Sequence, residues 1–172
     1  MVRPRSASAK TAPARVGSSP DRHYLGGEGP LEAPLRTLDA IRDDFAFLDD
    51  WEDRYRYVIE LGRELPPFPE SARTDANKVR GCVSQVWIET DAEHGRMHLR
   101  GDSDSHLVKG LVAIAIALYD GKTADEARAV DALATFRELD LEQHLTPQRS
   151  NGVRSMIERL RADAAGMASA AG

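Results

Sequence analysis

Residues 83–100 read VSQVWIETDAEHGRMHLR, and here the spacing of apolar residues changes from a helical period to an alternation. Val86, Ile88 and Thr90 fall on one side of an extended chain, and Gln85, Trp87 and Glu89 on the other. That is the period of two expected of a half-buried strand, predicted over 83–91. Met97 and Leu99 alternate with Arg96, His98 and Arg100, which predicts a second strand. Residues 92–95 lie between the runs and read as a turn. The stretch predicts a small antiparallel hairpin.

Both sides of the hairpin read as helix. Leu38, Ile41, Phe45 and Leu48 recur at helical spacing with Thr37 as N-cap. Asp50 caps a second helix carrying Trp51, Tyr55, Val58 and Leu61; Gly62 weakens its last turn and Pro66, Pro67 and Pro69 end it. After the hairpin, Leu107, Leu111, Ile114 and Leu118 form one stripe, with Val108, Val112, Ala115 and Tyr119 beside it. A helix apolar on most of its surface belongs in the centre of a fold. Thr123 and Glu126 make a capping-box pattern, Asp131 precedes another short helix, and Thr146-Pro147 is an N-cap with proline at the first helical position. The order helices, hairpin, helices predicts an α+β fold: a compact two-layer domain with a small antiparallel sheet packed against helices.

The domain is expected over 35–165. Residues 1–34 are rich in Arg, Ala, Ser, Pro and Gly without apolar periodicity, and read as a disordered leader. The leader has no acidic residue before Asp21, so an organelle transit peptide is the alternative; Pro4, Pro13 and Pro20 weaken the amphipathic helix such a peptide needs. Residues 166–172, GMASAAG, are expected to form a disordered tail. A net charge of −5 argues against nonspecific binding to nucleic acid or acidic membranes. No apolar run approaches the ~20 residues that cross a bilayer, and a cytoplasmic location is expected.

Cys82 is the one cysteine of the chain. An internal disulfide and a metal or cluster site built from several cysteines are therefore outside its reach. It stands in Arg80-Gly81-Cys82-Val83-Ser84-Gln85, where a polar stretch meets the first strand. Gly81 permits backbone angles closed to other residues and is a hinge candidate. Residues 75–80 are expected to move while the strand holds the other flank. A buried, inert cysteine is the competing reading. A self-contained dithiol cycle is excluded, so a second sulfur must come from another molecule. The five histidines show no metal-ligand pattern. A Cys–His pair with His106 or His144 stays open. Asp102 and Asp104 read as helix N-terminal acids facing the dipole.

DWEDRYRYVIELGRELPPFP, NKVRGCVSQVWI, GDSDSHLVKGL and LTPQRSNGVRSMI occur in this order. Together they resemble the SufE family, which includes the CsdE proteins, over residues 38–163. The resemblance implies a fold shared with IscU-type scaffolds. It also implies a sulfur-acceptor and carrier role in iron–sulfur cluster assembly, with Cys82 as the nucleophile that carries the persulfide. The implied partners are a SufS/CsdA-type cysteine desulfurase, which the chain would stimulate, and a SufBCD-type scaffold or other acceptor; a homodimer is allowed. Pyridoxal phosphate belongs to the desulfurase. No cofactor or metal is expected on this chain, which would not be an autonomous enzyme. Arg149 is the candidate for stabilising the thiolate. The alternatives are a noncovalent desulfurase activator with a structural Cys82, a thiol peroxidase, and an IscU-like cluster scaffold, which one cysteine disfavours.

Overall fold

The computed structural model describes residues 35–171; the leader predicted over 1–34 lies outside them. Its elements are α1 (Leu38–Phe47), α2 (Trp51–Arg63), a 3-10 turn (Glu70–Ala72), β1 (Val86–Glu93), β2 (Arg96–Ser103), α3 (His106–Tyr119), α4 (Ala124–Arg128), α5 (Ala132–Glu138), α6 (Leu141–His144) and α7 (Pro147–Ala170). The fold is α+β, as predicted: one antiparallel hairpin packed against helices. The short α6 had no sequence signal strong enough to predict it. Residues 166–170 continue α7 rather than forming a tail. Ala164 is buried and Met167 packs on the core, so the last turns have something to rest against.

The helix starts follow their caps. Thr37, Asp50, Ser105, Asp131 and Thr146 each accept a backbone N–H of the first turn they precede. Thr123 and Glu126 close a reciprocal capping box, and the Thr123 N–H holds the Glu126 carboxyl below its ordinary pKa. The hairpin pairs Val86 with Ser103 and Glu93 with Arg96. Its turn is only His94-Gly95, both at positive φ (51° and 75°), a two-residue connection whose twist suits paired strands. The first strand is thus shifted from its predicted span. It begins at Val86, and Val83 is 81% exposed ahead of it.

α3 is the centre. Ten of its residues are buried, from Leu107 to Tyr119, and β2, α1, α2 and α7 all pack on it. Two glycines bring α2 and α3 into backbone contact. A Cβ on Gly110 would lie 1.9 Å from Val58 O, and one on Gly62 would lie 2.7 Å from Gly110 N. Gly62 is therefore a packing requirement, not a weak last turn.

Asp102 is not a helix-terminal acid. It sits buried in β2, where its carboxylate meets Arg73 Nη2 at 2.6 Å and Lys109 Nζ at 3.2 Å. The Arg73 guanidinium lies over the Trp87 ring, 4.9 Å from its centroid. The cap of α3 is Ser105, so Asp104 is left for another task described below.

The backbone at Val58 cannot swing aside as a side chain can. Gly110→Ala should therefore destabilise the protein by about 2 kcal/mol, because overpacking (~1–3 kcal/mol) exceeds the ~1 kcal/mol that alanine gains in a helix. Thermal unfolding is the check: a fall of roughly 5–10 °C is expected, and an unchanged or raised midpoint means that α2 and α3 are not in backbone contact.

Candidate functional site

Residues 80–85 leave the buried Val79 and return to the buried Val86, and their ends are tied together. Val79 N–H donates to Val86 O at 2.9 Å and Ile88 N–H to Asn77 O at 2.8 Å, with Lys78 opposite Trp87. At the other end Gln85 N–H donates to Asp104 Oδ1 at 2.9 Å, and Gln85 O accepts from Ser103 Oγ at 2.7 Å. The expectation that 75–80 moves freely is corrected here. Backbone pairing anchors both flanks, and only Arg80 to Ser84 lacks such ties.

Within that loop Gly81 has φ +86°, a conformation that strains any residue with a Cβ. A Cβ there would also come within 2.7 Å of Ser155 Oγ on α7. The next residue, Cys82, is half-buried and turns its thiol onto α7. Cys82 Sγ donates to Gly152 O at 3.6 Å. Val108 and Leu111 of α3 and Val153 and Met156 of α7 wall the pocket around the sulfur, with Gln148 and Arg149 at its polar side. The adjoining space is about 20 Å³, enough for one atom of water or sulfur size.

Burial pushes the Cys82 thiol above its ordinary pKa. The hydrogen bond acts in the same direction. A thiol can donate to a carbonyl and a thiolate cannot, so the bond to Gly152 favours the neutral form. The contact is with the second turn of α7, not with the free amides of its first turn, where the helix dipole favours an anion. Arg149 lies in the same pocket, and its Nη1 donates to Tyr55 Oη at 3.1 Å. The structure thus brings Cys82, Gly81 and Arg149 to one place.

Neither His106 nor His144 lines that pocket. His106 is the first residue of α3, and His144 stacks on Trp51 with ring centroids 3.6 Å apart. Among the described residues no group of three or more His, Cys, Asp or Glu is arranged to hold a metal ion. No described helix is long and apolar enough to cross a membrane. Two residues of the site escaped sequence reasoning. Asp104 anchors the loop, and Gly152 sits beneath the sulfur. A glycine inside a helical pattern was the available signal for the second.

The comparisons with known proteins agree with this geometry. The model of the SufE family, described as an Fe-S metabolism associated domain, matches residues 39–164. A SufE-like protein of Rhizobium meliloti (strain 1021) is 54% identical over 136 residues, which span 77% of this chain and 97% of the relative. The sulfur acceptor protein CsdE of Escherichia coli (strain K12) is 41% identical over 125 residues, 72% of this chain and 85% of CsdE. A protein of Thermus thermophilus, solved in solution, shares the fold with a TM-score of 0.63 at 22% identity, covering 77% of this chain and 96% of that one. With the family model spanning the hairpin, the cysteine loop and α7 alike, the chain belongs to the SufE family.

Proposed function

We propose that this protein accepts sulfur on Cys82 as a persulfide from a SufS/CsdA-type cysteine desulfurase, and passes it to a scaffold such as SufBCD during iron–sulfur cluster assembly. The observation that carries the reading is the setting of Cys82: a single thiol on a short loop tied at both ends, half-sheltered against an apolar wall with room for one more atom. The acceptor role in the name of CsdE supports it.

The reaction needs one cysteine and no metal on this chain. The Cys82 thiolate attacks the terminal sulfur of a persulfide on the desulfurase. The new S–S bond forms at Cys82 Sγ as the S–S bond of the desulfurase breaks, and the cysteine of the desulfurase leaves as a thiolate. One sulfane sulfur moves and no outside oxidant or reductant is consumed. The rate follows the thiolate fraction and access. The resting thiol has little of either, so the loop must leave α7 for transfer. Arg149, held beside the pocket by Tyr55, supplies positive charge for the thiolate once burial no longer dominates.

Cys82→Ser should fold normally and gain no sulfur. Mass measurement after incubation with a desulfurase and cysteine should show one added sulfur atom on the unmodified protein and none on the variant. If the serine variant stimulates the desulfurase fully, Cys82 is structural and the protein is a noncovalent activator.

Arg149→Ala should slow persulfide formation about tenfold, the effect of one pKa unit on thiolate fraction, with binding to the desulfurase nearly unchanged. Single-turnover transfer and a binding titration separate the two. Equal transfer rates would leave Arg149 with a structural role only.

The sheltered position has a pH signature. Because burial raises the thiol's pKa, alkylation of free Cys82 should climb with pH through a midpoint above that of an unburied thiol. It should also be slower near neutral pH than for a small thiol. Adding a catalytically inactive desulfurase should move the midpoint down and speed the reaction by about tenfold or more. Equal rates with and without the partner would show that no sheltered state exists.

A further inference from the structure

Gly152 lies in the interior of α7, where glycine costs helix stability. Its φ is outside the left-handed region, so the helix does not itself require glycine there. The requirement comes from across the pocket. A Cβ on Gly152 would meet Cys82 before anything else: Sγ at 3.3 Å, Cβ at 3.8 Å and Cα at 4.0 Å. The first of these is inside the ~3.5–4.0 Å at which even carbon atoms pack.

We propose that Gly152 is the positioning residue of the sulfur site: its missing side chain makes the seat for Cys82 Sγ, and its carbonyl keeps the sulfur there by accepting the thiol hydrogen. The seat has a second point of support one turn further along. Gly152 and Ser155 are three residues apart on one face of α7, and Gly81 sits over Ser155 as Cys82 sits over Gly152. The pair Gly81-Cys82 thus rests on the pair Gly152/Ser155, with a glycine on each side of the contact permitting the approach. The seat also selects a chemical form. A thiolate brought against a carbonyl oxygen loses the hydrogen bond and meets a lone pair instead, so ionisation loosens the loop. Arg149 is the charged residue that faces the same pocket, and at rest its Nη1 is engaged with Tyr55. Gly152 therefore sets how much of Cys82 is unreactive before a partner arrives. The importance of that control rests on the carrier reading above; the seat itself does not.

The test is Gly152→Ala in the full chain, without any desulfurase. Alanine is the better helix former, so α7 itself gains from the change. Only the seat is lost. Alkylation of Cys82 at neutral pH should rise about tenfold, and the midpoint of its pH profile should fall by about one unit towards that of an ordinary thiol. A folded variant with the unmodified rate and profile, or a slower one, overturns the proposal. If Gly152→Ala instead lowers the melting temperature, the same substitution is made in Cys82→Ala. Recovery of the loss once the sulfur is gone supports the seat, and an equal loss without the sulfur overturns it. Because no partner is present, these outcomes are independent of sulfur transfer. A shifted profile combined with a fully active Cys82→Ser protein would keep the seat and discard the carrier.

Discussion

α3 has almost no polar face, and the rest of the fold is what covers it. Leu107, Leu111, Ile114, Ile116 and Leu118 are at most 5% exposed, and each such side chain gains about 1.5–3 kcal/mol from burial. The covering elements differ in how close they come. α2 reaches the backbone of α3 through Gly62 and Gly110, and β2 comes close at Gly101, where a Cβ would meet Val112 Cγ1 at 2.6 Å. α7 stays at side-chain distance. Near its start, Val153 and Met156 face Val108 and Leu111 across a notch that no side chain of either helix closes. Cys82 closes it from the loop. The functional sulfur is thereby also a piece of the core's lid, which ties its resting position to the packing of α3.

That arrangement sets two demands against each other. Apolar walls and the S–H bond to Gly152 hold the thiol neutral and partly out of water, where it reacts slowly. On the proposed reading, transfer needs a thiolate within bonding distance of another protein's sulfur. The tied base of the loop reconciles these demands. Val79, Gln85 and Val86 stay hydrogen-bonded to the hairpin and its neighbours, so a short segment can swing without disturbing β1. A partner that binds the extended loop better than the seated one need shift only this local equilibrium.

Much of this was legible in the sequence because it is local. Caps at Thr37, Asp50, Thr123, Asp131 and Thr146, the alternation through Val86 and Ile88, and the apolar stripe of α3 each depend on residues a few positions apart. What was missed depends on distant pairs. Gly62 reads as a flaw until Gly110 is opposite it. Asp102 reads as a dipole acid until Arg73 and Lys109 converge on it. The segment before Arg80 reads as free until its backbone pairs with β1. Cys82 was visible through its neighbours Gly81 and Val83-Ser84-Gln85 and through the family pattern. The partner that defines its resting state, Gly152, lies seventy positions away, and no periodicity reports a contact of that kind.

The seat bears on the direction of sulfur flow as well as on its rate. Exchange of a sulfane sulfur between two cysteines makes one S–S bond and breaks another, so the chemistry alone gives little preference for either side. A carrier must obtain that preference from differences in how each protein accommodates the added atom. In this protein the space beside Cys82 is apolar and holds about one more atom. A terminal sulfur placed there exchanges water for side chains of Val108, Leu111, Val153 and Met156, a favourable transfer for a soft, polarisable atom. Loading then stabilises the closed loop by filling a void that the bare thiol leaves open. The loaded carrier would be more firmly shut than the empty one, and would release its sulfur only to a partner whose binding offsets that closure.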